Sequence, residues 1–179
     1  MKKLAFILFV LAISCTKKPT TINGDSDSVS IVKGRLMFNN SLYTGATVLF
    51  YKNNTKKEER FYKNGKIHGV ERIWYSDGQL FSERSYRNGI KVGVHKGWWT
   101  NGNKKFEFYF NEFGEHHGDA NEWFEDGSPY RNFHYKNGKE EGSQKMYQPN
   151  GNIRANYVVI EGERFGLIGL RKCDAVSTM

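Results

Sequence analysis

The sequence predicts an all-β protein: an antiparallel meander of β-hairpins, about five copies of a 24-residue unit, forming an elongated twisted sheet. Three observations lead there. The chain is rich in glycine, with 19 in 179 residues, where about 7% is ordinary. Beyond residue 14 it has 23 Leu, Ile and Val against 25 aromatic residues. That is too little aliphatic material for the buried strands of a doubly wound α/β enzyme or the seam of a helical bundle. Each aromatic can still bury a large area, so the composition is not that of a disordered chain. The third observation is that the glycines recur at a fixed spacing.

The elements follow in order. Met1-Lys2-Lys3 and the ten uninterrupted apolar residues Leu4 to Ile13 read as a signal peptide over residues 1–14. Ten residues of helix are too short to cross a hydrocarbon core of about 30 Å. The junction Leu11-Ala12-Ile13-Ser14-Cys15 resembles a bacterial lipobox. That resemblance implies attachment of diacylglycerol to the Cys15 thiol, cleavage before Cys15, and acylation of the new amino terminus by palmitate or a similar chain. Two or more acyl chains make a stable membrane anchor. Thr16, rather than an aspartate, follows Cys15, which for this class implies the outer membrane of a Gram-negative cell. Residues 15–33 are poor in apolar side chains and are expected to be a flexible tether. Residues 34–172 are the expected repeat array, with Gly34-Arg35-Leu36-Met37-Phe38 as a capping strand, and residues 173–179 a tail.

Within the array, Gly45, Gly69, Gly93, Gly118, Gly142 and Gly166 are spaced by 24, 24, 25, 24 and 24 residues. The fifth residue after each of the first five is Phe50, Trp74, Trp98, Trp123 and Tyr147, and the sixth is Tyr51, Tyr75, Trp99, Phe124 and Gln148. The seventeenth is Tyr62, Tyr86, Phe110, Tyr135 and Val159. Each unit therefore reads as two short strands. One turn falls at Asp77-Gly78, Asn101-Gly102, Asp126-Gly127 or Asn150-Gly151, the other at Asn64-Gly65, Asn88-Gly89 or Asn137-Gly138. Such dipeptides between apolar runs signal hairpins whose two central residues take φ > 0. Gly114 marks a one-residue insertion in the third unit. Period-two alternation predicts Ile73 and Tyr75 on one face and Trp74 on the other. Glycine opposite an aromatic would let a ring lie flat on the neighbouring backbone.

The segments Tyr86-Arg87-Asn88-Gly89-Ile90-Lys91-Val92-Gly93 and Tyr135-Lys136-Asn137-Gly138-Lys139-Glu140-Glu141-Gly142 resemble the MORN repeat in its bacterial variant form. The resemblance covers about residues 42–170. Similar proteins are often described as antitoxins, which implies a cytosolic toxin partner and conflicts with the export signal here. A loose analogy with other MORN proteins adds phospholipid headgroups as a contact.

Repeat arrays are scaffolds, and no enzyme is expected. There is no nucleophile elbow, phosphate loop or zinc-protease helix. His68, His95, His116, His117 and His134 are read as exposed turn residues. His116 and His117 are adjacent on a strand and point to opposite faces, so they do not share an ion; an adventitious site from Glu115, His117 and Asp119 is the alternative. Asp77 and Asp126 are explained by turn chemistry. No metal and no cofactor are expected. Cys173, beside Arg171 and Lys172, is the one thiol left free if Cys15 is acylated, either as a half-buried cap or as a redox, disulfide or metal ligand.

The chain carries +8, from 27 Lys and Arg against 19 Asp and Glu, and +6 without Lys2 and Lys3. Clusters such as Lys56-Lys57 and Lys104-Lys105 interleave with aromatics, but export argues against nucleic acid. Lysines along a sheet also prevent edge-to-edge pairing. The expected function is a lipid-anchored envelope module that binds a protein, glycan or lipid through exposed Tyr75, Trp98, Trp99 and Trp123. The alternative is a spacer with no specific ligand. The oligomeric state is left open.

Overall fold

The computed structural model describes residues 20–169. The expected signal peptide, Cys15, Cys173 and the tail lie outside the described residues. Within them the chain is built of strands, most of them in one 15-stranded sheet.

The units follow the glycine spacing. The first comprises β5 (Gly45–Phe50), β6 (Lys56–Lys63) and a two-residue return strand, β7 (Lys66–Ile67). Ahead of it lie β1 (Thr21–Asn23), β2 (Val29–Val32), β3 (Arg35–Phe38) and β4 (Ser41–Leu42). The second unit comprises β8 (Gly69–Trp74), β9 (Leu80–Arg87) and β10 (Ile90–Lys91). The third is β11 (Gly93–Trp98) and β12 (Lys104–Phe110). The fourth is β13 (His116–Trp123), β14 (Pro129–Lys136) and β15 (Lys139–Glu140). The fifth is β16 (Gly142–Tyr147) and β17 (Ile153–Ile160), and β18 (Glu163–Leu167) closes the sheet. Twelve strands lie along its main path, which at about 4.8 Å per strand spans roughly 50 Å.

Two expectations about the N-terminal region are corrected. Residues 21–32 are not a tether: β1 pairs parallel with β5, and β2 pairs with β3. The strand that extends the array is therefore β1, not 34–38. The reason is local. Lys33-Gly34 takes φ of 49° and 71° and Asn39-Asn40 takes 49° and 61°, so two tight hairpins fold β2, β3 and β4 into a separate three-stranded sheet.

Of the two turns in each unit, one is as expected. Asn64-Gly65, Asn88-Gly89 and Asn137-Gly138 all have positive φ at both residues, the geometry of a type I′ turn. The glycine N–H of each donates to the carbonyl two residues before its unit's repeat glycine: Gly65 to Tyr43 (2.7 Å), Gly89 to Ile67 (2.7 Å) and Gly138 to His116 (2.9 Å). The other turn differs. Gly78, Gly102, Gly127 and Gly151 have φ of 80–91°, but the residue before each stays outside the left-handed region. These are three-residue loops closing on a glycine bulge. Asp77, Asn101, Asp126 and Asn150 earn their place by accepting the N–H two residues on, at 2.8–3.0 Å.

A register shift precedes the fifth position in every unit, for example between Ile73 and Trp74. The residue skipped is on the facing strand: Phe81 lies between Ser82, opposite Ile73, and Leu80, opposite Trp74. Alternation along Ile73, Trp74 and Tyr75 is thus not interrupted, and Trp74 shares a face with Lys56 and Glu59. The expected ring-on-glycine packing holds at Gly97, opposite Phe106, where a Cβ would run into the ring. It does not hold at Gly69 or Gly93, which have open space beside them. Their φ values of 82° and 67° are what require glycine.

The core lies on one face, called inner here. The second residue after each repeat glycine is buried in all five units: Thr47, Glu71, His95, Ala120 and Gln144 are at most 4% exposed. Beside this row runs a chain of rings: Tyr86 against His95 (5.5 Å), His95 against Phe110 (4.6 Å), Phe110 against His116 (4.4 Å) and His116 against Tyr135 (5.1 Å). The opposite, outer face carries a ladder of cross-strand neighbours: Glu59, Arg72, Glu83, Lys96, Glu107, Asn121, Asn132, Lys145 and Asn156.

Candidate binding surfaces

The aromatic residues expected to be exposed contacts are half-buried and stitched into the array. The Tyr75 hydroxyl donates to the Trp98 carbonyl (3.0 Å), and Trp99 Nε1 donates to the Trp123 carbonyl (3.1 Å). The Tyr51 hydroxyl does the same to Trp74 (2.8 Å). In the first three units the sixth position is thus a unit-to-unit strut. Lysines cover several rings: Lys104 Nζ lies 5.4 Å from the Trp123 ring centre, Lys105 Nζ 4.1 Å from Trp99, and Lys56 Nζ 5.1 Å from Trp74. Such cation–π contacts hold the rings in place. Tyr75, Trp98, Trp99 and Trp123 do not form an open patch.

A cleft stands elsewhere. The small β2–β4 sheet and the first two units enclose about 520 Å³, within the range of ligand pockets. The turn of the first unit joins them, since Leu36 N–H donates to the Gly65 carbonyl at 2.8 Å. Ile31, Leu36, Ile67 and Ile90 give the cleft apolar walls, and Arg60, Glu71 and Tyr86 its polar floor. Glu71, 2% exposed, receives Arg60 Nε at 2.5 Å and the Tyr86 hydroxyl at 3.4 Å, with Arg84 Nη1 at 3.8 Å. Arg60 also reaches Glu58 at 3.0 Å. Burial pushes the Glu58 carboxyl up, and the nearby Arg60 only partly offsets it. Burial would lower the Arg60 guanidinium, but its bond to Glu71 and the charge of Glu58 lift it above its ordinary value. Burial raises the Tyr62 and Tyr86 phenols. The floor is thus a charged network already satisfied within the protein, and the walls present exposed apolar side chains. Ile31 is 73% and Ile90 44% exposed.

A second groove, of about 450 Å³, lies on the outer face over the fourth and fifth units. Asp119, Asn121, Asn132, His134, Lys145 and Tyr147 line it. Asn132 Nδ2 donates to Asn121 Oδ1 at 3.0 Å, and His134 Nδ1 meets Asp119 Oδ1 at 2.8 Å. The β14–β16 pairing is confined to two residue pairs, Arg131↔Met146 and Asn132↔Lys145. Gln144 fills the gap on the inner side. Its amide donates to the His134 and Glu141 carbonyls at 2.8 and 3.0 Å, while its Oε1 accepts the His134 N–H at 3.2 Å.

The histidines divide, which corrects their uniform reading as exposed turn residues. His68 is half-buried and His117 exposed, and each meets the Asn-Gly turn twenty residues on, with Nδ1 3.2 and 3.1 Å from the side chains of Asn88 and Asn137. His95 is 3% exposed and its Nε2 donates to the Ser85 carbonyl at 2.9 Å. Burial lowers the pKa of both His95 and His116, with the charges of neighbouring Lys and Arg adding to it. Glu115, His117 and Asp119 are not brought together: Glu115 is bonded to Asn111, His117 to Asn137 and Asp119 to His134. Neither Glu71 nor Gln144 was legible as a site residue, because a polar side chain on an alternating strand reads as solvent-facing.

The MORN repeat variant model matches residues 67–88 and 140–157. These are the end of the first unit with most of the second, and the end of the fourth with most of the fifth. The match supports a MORN-repeat protein. No curated protein matches the chain.

Proposed function

We propose that the protein is a non-enzymatic, lipid-anchored module of the cell envelope that binds a protein partner in the cleft between the β2–β4 sheet and the first two units. The observation that carries this reading is the cleft itself: apolar walls with exposed Ile31 and Ile90, over a floor whose charges are already paired. Such a site gains most from an apolar side chain inserted between the walls. Arg60, Arg84 and Lys66 outnumber Glu58 and Glu71 around the cleft, so an acidic residue beside that side chain is favoured. The array behind it acts as a rigid mount, each unit hydrogen-bonded to the next. Support for the anchor is the Leu4–Ile13 run followed by Ser14-Cys15, and Thr16 favours the outer membrane. The partner is then an envelope protein rather than a cytosolic toxin.

Two variants test the reading. Cys15→Ser is expected to abolish incorporation of radioactive palmitate and to release the protein from the membrane fraction. Continued incorporation refutes the anchor. Ile90→Asp is expected to abolish partner co-purification while leaving the unfolding transition in place. Undiminished co-purification refutes the cleft.

A further inference from the structure

We infer that the outer-face groove over the fourth and fifth units is a saccharide-binding site, separate from the cleft proposed for a protein partner. The chemistry of its lining points that way. Asp119, Asn121, Asn132, His134 and Lys145 are polar, and Tyr147 adds one ring. Phe133 also lines the groove, so its surface is mixed. The polar side chains supply the specificity through hydrogen bonds, and the apolar part suits the C–H faces of a ligand rather than a wholly greasy one.

The two amides are arranged for it. Asn132 Nδ2 is spent on Asn121 Oδ1 at 3.0 Å. That leaves the Asn121 amide hydrogens and the Asn132 oxygen as adjacent donor and acceptor. Adjacent ring hydroxyls, each both donor and acceptor, match such a pair. Lys145 stands across from Asn132 and Asn156 in the sheet. Among the described residues it has no carboxylate partner within ion-pair distance, so its three donors are open to hydroxyls or to a uronic carboxylate. The Tyr147 ring offers a surface for the C–H face of a sugar. One lysine beside Asp119 is not the cationic surface that a phosphate backbone needs.

The same outer-face positions elsewhere do not provide this. In the second unit they hold the Arg72–Glu83 ion pair at 2.7 Å. In the third, Lys96 is flanked across the sheet by Glu83 and Glu107. There the carboxylates are taken, Glu83 by Arg72 and Glu107 by Lys104 and Tyr109, and the neighbours of Lys96 are carboxylates rather than amides. Among the described residues of this ladder, it is over the fourth and fifth units that amides stand beside an open ammonium.

The test uses the full chain in detergent on an array of mono- to tetrasaccharides built from hexoses, N-acetylhexosamines and hexuronic acids. The expected result is retention of at least one class. Asn132→Ala and Lys145→Met should each weaken that binding about tenfold, as loss of one or two hydrogen bonds does. Side-chain amide signals of Asn121 and Asn132 should shift on titration with the retained sugar, and Ile90→Asp in the cleft should leave the binding unchanged. Binding to no sugar, or binding that both groove variants leave unaltered, overturns the proposal. Loss of sugar binding in Ile90→Asp also overturns it, because it places the sugar in the cleft. Partner co-purification, which Asn132→Ala should not affect, reports on the cleft separately.

Discussion

The second and fifth units share a backbone and oppose each other in chemistry. On the inner face, the second residue after the repeat glycine is Glu71 in one and Gln144 in the other, 2% and 0% exposed. Glu71 is held by Arg60, Tyr86 and Arg84. Gln144 is held by backbone groups of His134 and Glu141. On the outer face the contrast repeats, with the Arg72–Glu83 ion pair against the Asn132–Asn121 amide pair. The repeat therefore dictates where a side chain is buried, not what it is. One end of the array satisfies its polar positions with charge, which is costly to leave unpaired. The other does so with amides, which leaves hydrogen-bonding capacity over.

The largest expected effect tests the charged end. Glu71→Ala takes away the buried partner that Arg60, Tyr86 and Arg84 share, leaving Arg60 only Glu58, and should cost about 3 kcal/mol in urea unfolding. A cost below about 1 kcal/mol would show that water substitutes for the carboxylate, and that the two ends do not differ in kind. Gln144→Leu comes next. It leaves the His134 N–H short of a partner in a fully buried spot and should cost about 2 kcal/mol. A neutral result would mean that β14 and β16 can close up without it.

The third prediction concerns pH. His95 and His116 have lowered native values, so the unfolded chain takes up protons first. Stability is full above the ordinary imidazole value of 6.5 and falls as pH drops through the lowered native values. Thermal melting should therefore occur at a lower temperature at pH 5.5 than at pH 7.5. Glu58, raised by burial, works the other way. His95→Gln gives the third unit the fifth unit's residue, with an amide to donate to the Ser85 carbonyl, and should flatten the acid limb. An unchanged limb would clear His95. The smallest effect is outside: Glu83→Gln, in a pair with both side chains about two-fifths exposed, should cost at most about 0.5 kcal/mol and less in high salt.

The repeat was readable in the sequence because its signals are local. A glycine at φ 82° or an Asn-Gly turn states its own backbone geometry. What could not be read depends on partners far along the chain. Thr21–Asn23 looks like linker because its pairing with Ala46–Val48 is a backbone matter. Glu71, His95 and Gln144 look solvent-facing until neighbouring units cover them. Tyr75 and Trp99 look like ligands' partners until their polar tips are found on the next unit's carbonyls. The cleft was hidden for the same reason, since half of its wall comes from residues 31–36 and half from residues 60–90.

The central claim is that partner binding belongs to the cleft and not to the tryptophan rows. Photo-crosslinking in living cells tests it most directly, with a light-activated residue placed at Ile90 in one strain and at Trp98 in another. A single protein adduct from Ile90 and none from Trp98 is the predicted result. The same adduct from Trp98, with none from Ile90, would contradict it.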